Sequence, residues 1–332
     1  MDVLSDVLRA IRLNGAIFFD VELHSPWVTE TPNAAAIAGS VMPEAQHVIS
    51  FHSVLEGACW AQLVDGSKPA LRLNAGDIVV FPIDDQHALS SSAGMRAPPD
   101  LAMYYRPADR ALPFVIAQGG GAESCHFVCG YLGCDVRPFN PLLSALPRMF
   151  HSTESSGGGQ DWLTNLVRQG VKESESGRAG GETILAKIAE LMFVEVLRQH
   201  IDGLAEGSPG WLSGLRDRDV GKALRLIHGR PAAPWTLEAL AREVGLSRSV
   251  FSERFAHYVA VSPMNYLARW RLQLAARLLE RPGVSVAQAG SEVGYESEAA
   301  FNRAFKKYVG TPPGAWRKGR LRSSPAEAVP MA

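Results

Sequence analysis

The sequence has no apolar run approaching the ~18–20 residues needed to span a bilayer, and its first dozen residues carry Asp2 and Asp6 instead of a basic start and an apolar stretch. The first absence predicts no membrane partner and the second no secretory signal, so a cytoplasmic protein is expected. Cysteine is scarce. Four residues (Cys59, Cys125, Cys129 and Cys134) in 332 are too few for a disulfide framework. Net charge is also small, at −1, but it is unevenly spread. From Arg216 onward there are 19 Lys and Arg against 10 Asp and Glu, whereas residues 1–215 hold 14 basic against 24 acidic residues. A basic C-terminal part on an acidic N-terminal part suggests that only one of them meets a polyanion.

What is present is enough apolar material, 46%, for a core in each of about two domains. Residues 2–11 read as a short amphipathic helix with Val3, Leu4, Val7, Leu8 and Ile11 on one face. From Asn14 to Leu132, short β-rich runs (Ala16–Val21, Val48–Leu55, Ile78–Phe81, Phe127–Tyr131) alternate with turn residues, the texture of a β-sandwich or small barrel. Pro32–Ser40, Ser90–Pro99, Gly119–Ala122 and Ser155–Gly159 read as loops. After Pro138 the pattern turns helical, with helices expected at Trp162–Val171 and Gly181–Ile201. The second carries Ile184, Leu185, Ile188, Leu191, Met192 and Leu197 at helical spacing. This stripe either packs on the β-domain or, as preferred here, makes a dimer contact. Gly203, Gly207, Pro209 and Gly210 mark a linker.

Two segments beyond Asp217 share one layout. In Thr236–Phe255 and Ser285–Phe305 a short helix ends at Val-Gly, where Gly245 and Gly294 supply a left-handed stop. Ser247 and Ser297 then cap a second helix, whose Phe pairs, Phe251 with Phe255 and Phe301 with Phe305, give it one apolar face. Each is a helix-turn-helix pattern, with the second helix suited to the major groove. Pro263 opens the helix between them, from about Pro263 to Glu280, which would be roughly 27 Å long. One chain would then read two adjacent groove segments.

Residues 217–320 resemble the DNA-binding domain of AraC/XylS-type regulators. The resemblance rests on Leu240-Ala-x3-Gly-Leu-Ser-x3-Phe-x3-Phe, Pro263-x2-Tyr-Leu-x3-Arg-Leu, Val293-Gly-Tyr-x-Ser-x3-Phe-x-Arg-x-Phe-Lys and Gly310-Thr-Pro-Pro-Gly-Ala-Trp-Arg317. It implies base-facing positions at Ser249, Ser252 and Glu253 in the first unit and at Ala299, Ala300 and Arg303 in the second. Arg303 has the fork geometry for guanine, and the alanines suit thymine methyls. Glu253 would accept from cytosine or merely pair with Arg254. Arg248, Arg254, Lys306 and Lys307 are suited to phosphate. One departure is Ala289-Gly290, where the family usually has a larger apolar residue and Ala. Gly costs ~1 kcal/mol in a helix interior, so this helix is either weaker or packed unusually close.

Val54-Leu-Glu-Gly57, Gly76-Asp-Ile-Val-Val-Phe-Pro82, His87 and the stretches Cys129–Cys134 and Pro141–Pro147 resemble the cupin-type sensory domain found on one branch of these regulators. Cupin enzymes place two His and a Glu in the first motif and one His in the second. His87 stands in the second, but His47 and His52 are out of place, have opposite strand parity, and Ser50 falls where the Glu would be. No metal or cofactor is therefore expected. His52 and His87 are expected to line an effector pocket. Cys129 and Cys134, flanking a Gly-containing turn, are a redox candidate, since Arg137 follows.

The expected fold class is α+β: an N-terminal cupin-like β-barrel with a helical dimerisation segment, and a C-terminal all-α domain with two helix-turn-helix units. The expected divisions are 1–135 sensory barrel, 136–203 dimerisation helices, 204–216 linker, 217–320 DNA-binding domain and 321–332 flexible tail. The function read from the sequence is a sequence-specific transcription regulator. Its expected partners are double-stranded operator DNA, a small-molecule or oxidant effector, a second copy of the chain and RNA polymerase. The alternative is a metal-dependent cupin enzyme with a helical appendage, such as an isomerase or dioxygenase.

Overall fold

The computed structural model describes residues 2–107, 111–153, 161–175 and 178–323. In chain order they form α1 (Val3–Ala10), β1 (Asn14–His24), β2 (Val28–Thr31), α2 (Ala34–Val41), β3 (His47–Leu63), β4 (Leu71–Asn74), β5 (Ile78–Phe81), β6 (His87–Ser90), β7 (Phe114–Gln118), β8 (Ser124–Cys134), β9 (Phe150–Ser152), α3 (Asp161–Glu175) and α4 (Gly181–Asp202). The C-terminal helices follow: α5 (Trp211–Arg216), α6 (Arg218–Gly229), α7 (Leu237–Val244), α8 (Arg248–Val259), α9 (Pro263–Leu279), α10 (Val286–Glu292), α11 (Glu298–Val309) and α12 (Pro313–Ser323). The Ser155–Gly159 loop and most of the expected tail lie outside the described residues. No helix among the described residues is long and apolar enough to cross a membrane.

The chain packs as two units, one of Leu13–Cys134 with Leu146–Gly203 and one of Met1–Arg12, Asp135–Ala145 and Leu204–Ala332. The first helix and a short central segment therefore belong with the C-terminal helices, a division that local composition does not mark.

In the first unit the sheet order is β2-β6-β3-β8-β1-β7, with β4 and β5 also on β3 and β9 on β5. The β1–β7 pair is parallel and the other pairs are antiparallel. The 17-residue β3 is the spine: its first part pairs with β8 and β5 and its last part with β4 and β6. Serving both layers buries it on both faces, which explains its nearly continuous apolar character. The expected loop at Pro32–Ser40 is instead α2. Its Ala-rich run has high helix propensity, Ile37 is buried, and Asp84 accepts from the Ala35 N–H near its start. The turn expected between Cys129 and Cys134 is absent too, because both lie in the single strand β8, whose pairing with β3 runs unbroken from His52↔Cys129 to His47↔Cys134.

Helix α4 lies along β1. A Cβ on Gly15 would meet the Ala186 carbonyl at 2.7 Å and the Ala189 Cβ at 2.8 Å, so glycine permits the close approach. Of the stripe read as a dimer face, Leu185, Ile188, Met192 and Leu197 are buried within this unit, and only Ile184 and Leu191 stay exposed. Burial against the chain's own sheet removes most of that face from any partner.

In the second unit the expected linker contains α5, anchored by Trp211, which is buried and donates from Nε1 to the Tyr266 hydroxyl at 3.0 Å. Helix α1 buries Val3, Val7 and Ala10 against α6 and α9. Gln273 on α9 ties both outlying segments down: its Nε2 donates to the Ala10 carbonyl, and its Oε1 accepts from the Phe139 N–H, each at 2.9 Å. Beside it four charges interlock. Arg12 forks onto Asp135 at 2.7 and 2.9 Å and reaches Glu280 at 3.1 Å, and Arg320 bridges the same two carboxylates at 3.1 and 3.0 Å. Removing one cation leaves nearly buried Asp135 undercompensated. Because Arg12 is partly exposed, its half-share is discounted. Arg12→Ala is expected to cost about 2 kcal/mol, read as a shift in denaturant midpoint.

Candidate nucleic-acid interface and sensor cavity

Each helix-turn-helix is built by local capping. Ser247 Oγ accepts from the Val250 N–H and Ser297 Oγ from the Ala300 N–H, starting α8 and α11 in the expected places. Gly245 and Gly294 adopt φ of 77° and 89°, as the left-handed stops require. Phe251 and Phe255, with ring centroids 5.7 Å apart, and Phe301 and Phe305, 5.5 Å apart, are fully buried. Their burial turns the opposite faces outward. On α8, Arg248, Ser249, Glu253 and Arg254 are exposed and Ser252 is half-buried; on α11, Ala299, Arg303, Lys306 and Lys307 are exposed and Ala300 is half-buried. Ala299 and Arg303 are one turn apart, so they share a face.

The phosphate candidates differ in their surroundings. Arg254 is held by Asp217 at 2.5 Å and Asp219 at 3.6 Å, so Glu253 is not its ionic partner, and much of its charge is answered within the protein. Arg248 pairs with Glu238 at 2.9 Å, an exposed contact that a phosphate can readily replace. Lys307 lies 5.3 Å from the Tyr308 ring centroid.

The two helix-turn-helix units are also joined by a loop that the motifs do not predict. Arg271 on α9 donates to the Pro231 and Ala233 carbonyls at 2.7 and 2.8 Å, holding the loop between α6 and α7. A Cβ on Gly294 would lie 2.6 Å from the Ala232 carbonyl oxygen. Gly294 therefore serves twice, as a helix stop and as the point where the first unit's loop meets the second. Gly290 is likewise forced: a Cβ there would sit 2.9–3.0 Å from the Phe301 ring and Cβ, so the departure from the family pattern reflects close packing.

Within the barrel unit, alternation along two neighbouring strands makes a cavity. Phe19, Val21 and Leu23 of β1 and Phe127, Cys129 and Tyr131 of β8 face the same way and line a space of about 440 Å³, within the range of small-molecule sites. Trp27 stacks on Phe127, with centroids 5.5 Å apart. Behind Cys129, His52 is its cross-strand neighbour, and its Nδ1 is 2.9 Å from the Cys129 Sγ. His52 Nε2 is 2.8 Å from His87 Nε2, and His87 Nδ1 is 3.0 Å from the Asp85 carbonyl. A carbonyl only accepts, which sets every proton in this line. His87 donates from Nδ1 to Asp85, His52 donates from Nε2 to His87, and the Cys129 thiol donates to His52 Nδ1. Burial holds His87 down to about 4 and His52 well below its ordinary value, so both rings are neutral.

The N-terminal part matches the model of a cupin family over residues 2–202, and residues 240–319 match a helix-turn-helix domain model. A putative AraC-like transcription regulator from Streptomyces lividans is 30% identical, covering 96% of this chain and 98% of that protein. The chain belongs to the AraC family of transcription regulators. The HTH-type transcriptional regulator AlkR of Acinetobacter baylyi is 29% identical, covering 96% of this AraC-family chain and 99% of its own. Among solved structures, the DNA-binding domain of AdpA in complex with a target DNA is 25% identical, covering 33% of this regulator and 98% of that chain, with a TM-score of 0.32.

This AraC-family protein is a DNA-binding transcription regulator and not an enzyme, which sets aside the alternative reading. The cupin metal-Glu position is Ser50, paired in register with Phe81, and His47 donates from Nε2 to the Pro82 carbonyl at 2.6 Å, away from His52. Among the described residues no group of three His, Cys, Asp or Glu side chains is placed to hold a metal.

Two sensory expectations are revised. His52 and His87 do not line the cavity; they lie behind Cys129, buried in the barrel. Cys129 and Cys134 are five residues apart in one extended strand, roughly 16 Å at strand rise, which is too far for a disulfide. Burial also pushes the Cys129 thiol well above its ordinary value, the opposite of a poised thiolate. The cysteines that do meet are Cys59 and Cys125, whose thiols hydrogen-bond, raising Cys59 as the donor. Strand pairing decides this: Cys125 stands opposite Gly57 on β3, two residues from Cys59. The spacing of cysteines along the sequence could not show it.

Proposed function

We propose that this regulator reads operator DNA with α8 and α11 in successive major grooves and that its barrel answers to a small molecule held in the cavity between β1 and β8. The observation that carries the DNA reading is the pair of capped helices, each with a buried Phe pair and an outward polar or basic face. In this reading Ser249, Ser252 and Glu253 of the first head and Ala299, Ala300 and Arg303 of the second meet bases. Arg248, Lys306 and Lys307 meet phosphate, and Arg254 has a lesser share because Asp217 already holds it. The regulator works in the cytoplasm as a homodimer that engages RNA polymerase. Exposed Ile184 and Leu191 on α4 remain for the partner copy.

The test starts from DNA fragments selected by the full chain out of a random-sequence pool. Arg303→Ala is expected to weaken the selected site by ~1–3 kcal/mol and relax preference at one base pair. Lys306→Ala is expected to weaken all sequences alike and lower the salt slope by about 1. Equal affinity of the unmodified chain for every sequence at physiological salt defeats the reading.

A further inference from the structure

The proposed sensory role leaves the effector's chemistry open, and the cavity wall narrows it. Among the described residues no Asp, Glu, Lys or Arg side chain lines the space. The polar residues among its lining are sorted by depth. Gln118 is exposed, and His24 and Thr29 are half-buried at the rim. Inside, apart from the Cys129 thiol and the Trp27 indole N–H, the polar side-chain groups are the Thr31, Tyr104 and Tyr131 hydroxyls, all on buried residues, with Tyr104 hydrogen-bonded to both Tyr131 and Thr31. The remaining inner wall is aromatic and aliphatic, with Met95 and Met103 adding adaptable sulfur-bearing walls.

An ion entering this space loses its hydration with no counter-charge among those lining residues to meet it, a cost of several kcal/mol. A sugar would bury several hydroxyls against one small cluster of partners, leaving donors and acceptors unmade. A neutral molecule with an apolar body and one hydroxyl has neither penalty. We infer that the cavity between β1 and β8 binds a neutral, single-hydroxyl hydrocarbon, its apolar body against Trp27, Phe127 and Val21 and its hydroxyl in the Tyr104–Tyr131–Thr31 cluster. The inference rests on the sensory reading only for its consequence at the DNA, not for the binding itself. The seated body touches Cys129, the first member of the proton-ordered line through His52 to His87, so occupancy bears directly on the β3–β8 pairing at His52↔Cys129.

The test is calorimetric titration of the full chain with 4-butylphenol, its ionised counterpart 4-butylbenzoate, and glucose. Saturable binding of the phenol is expected, at least about tenfold weaker for the benzoate, a difference of roughly 1.4 kcal/mol; none is expected for glucose. Val21→Trp, which fills the space, is expected to abolish phenol binding. Tyr104→Phe, which removes only an oxygen, is expected to weaken it by about threefold to tenfold in a chain that still melts cooperatively, so the result does not depend on how Val21→Trp folds. Benzoate or glucose binding as well as the phenol, no saturable phenol binding, or a Tyr104→Phe affinity equal to the unmodified chain's overturns the assignment. Affinity for the selected DNA, measured with and without saturating phenol, separates the two readings. A phenol complex that leaves DNA affinity unmoved supports the site and removes its sensory role, whereas absent binding removes the site and leaves DNA recognition standing.

Discussion

Replacing Gly290 with valine is expected to destabilise the second reading head by about 3 kcal/mol and to abolish sequence-specific binding, while the barrel still folds. Elsewhere in a helix interior, Gly→Ala stabilises by ~1 kcal/mol. Here the sign reverses. A new Cβ meets the Cγ, Cβ and Cδ1 atoms of Phe301 at 2.9–3.0 Å, the inner end of a ring that is fully buried and packed against Phe305. That ring cannot swing clear without moving α11 and with it Arg303. Gly290→Ala is therefore expected to be destabilising, and Gly290→Val more so because of its two extra methyl groups. Denaturant midpoints for the pair, with binding to a selected DNA fragment, check this. A stabilised Gly290→Ala protein with normal DNA affinity would falsify the close-packing account.

Acid is expected to unfold the barrel well before ordinary carboxylate titration explains it. His87 is held down to about 4 by burial, against 6.5 when unfolded, and His52 is depressed in the same way and further by His87. The unfolded chain therefore binds more protons below 6.5, so stability is full above that value and falls between pH 6.5 and 4. His87 alone accounts for a loss of about 3 kcal/mol across that interval. The groups facing the pair are Phe81, stacked on His87 at 3.7 Å, the Cys129 thiol and Asp85, whose carbonyl and carboxylate both favour protonated His87 but are outweighed by its burial. His126 has the opposite sign: its hydrogen bond with Asp20 raises it, a contribution present in mild acid and lost as pH rises through its folded value. His228, stacked 4.0 Å from Trp270 and held down to about 3 by burial, adds acid sensitivity in the other unit. The check is therefore a difference measurement. His87→Gln should show a shallower fall in stability from pH 6.5 to 4 than the unmodified chain, and equal slopes would refute the assignment.

The reading heads were legible because their determinants are short-range. Ser247 and Ser297 reach N–H groups three residues on, Gly245 and Gly294 act on their own backbone, and each Phe pair spans one helical turn. The loop expected at Pro32–Ser40 failed because its flanking Pro and Gly outweighed the Ala-rich run between them. Half of the reason for Gly290 was legible, since its mere presence in a helix signalled either weakness or close packing, but Phe301, eleven residues away, decides which. The cavity was not legible. Alternation places Phe19 and Val21 on one face and Phe127 and Cys129 on one face, yet nothing in either run says that the two faces meet.

The amino-acid sequence by itself thus determined the family, the two capped reading heads and their outward residues, because capping, helical periodicity and left-handed glycines need only neighbours a turn away. Tertiary structure alone decided which cysteines meet, that His52 and His87 stand behind the cavity wall, and that Arg12, Asp135, Glu280 and Arg320 interlock. Those outcomes depend on strand register and on contacts spanning up to 268 residues, where a shift of one residue turns every side chain to the opposite face.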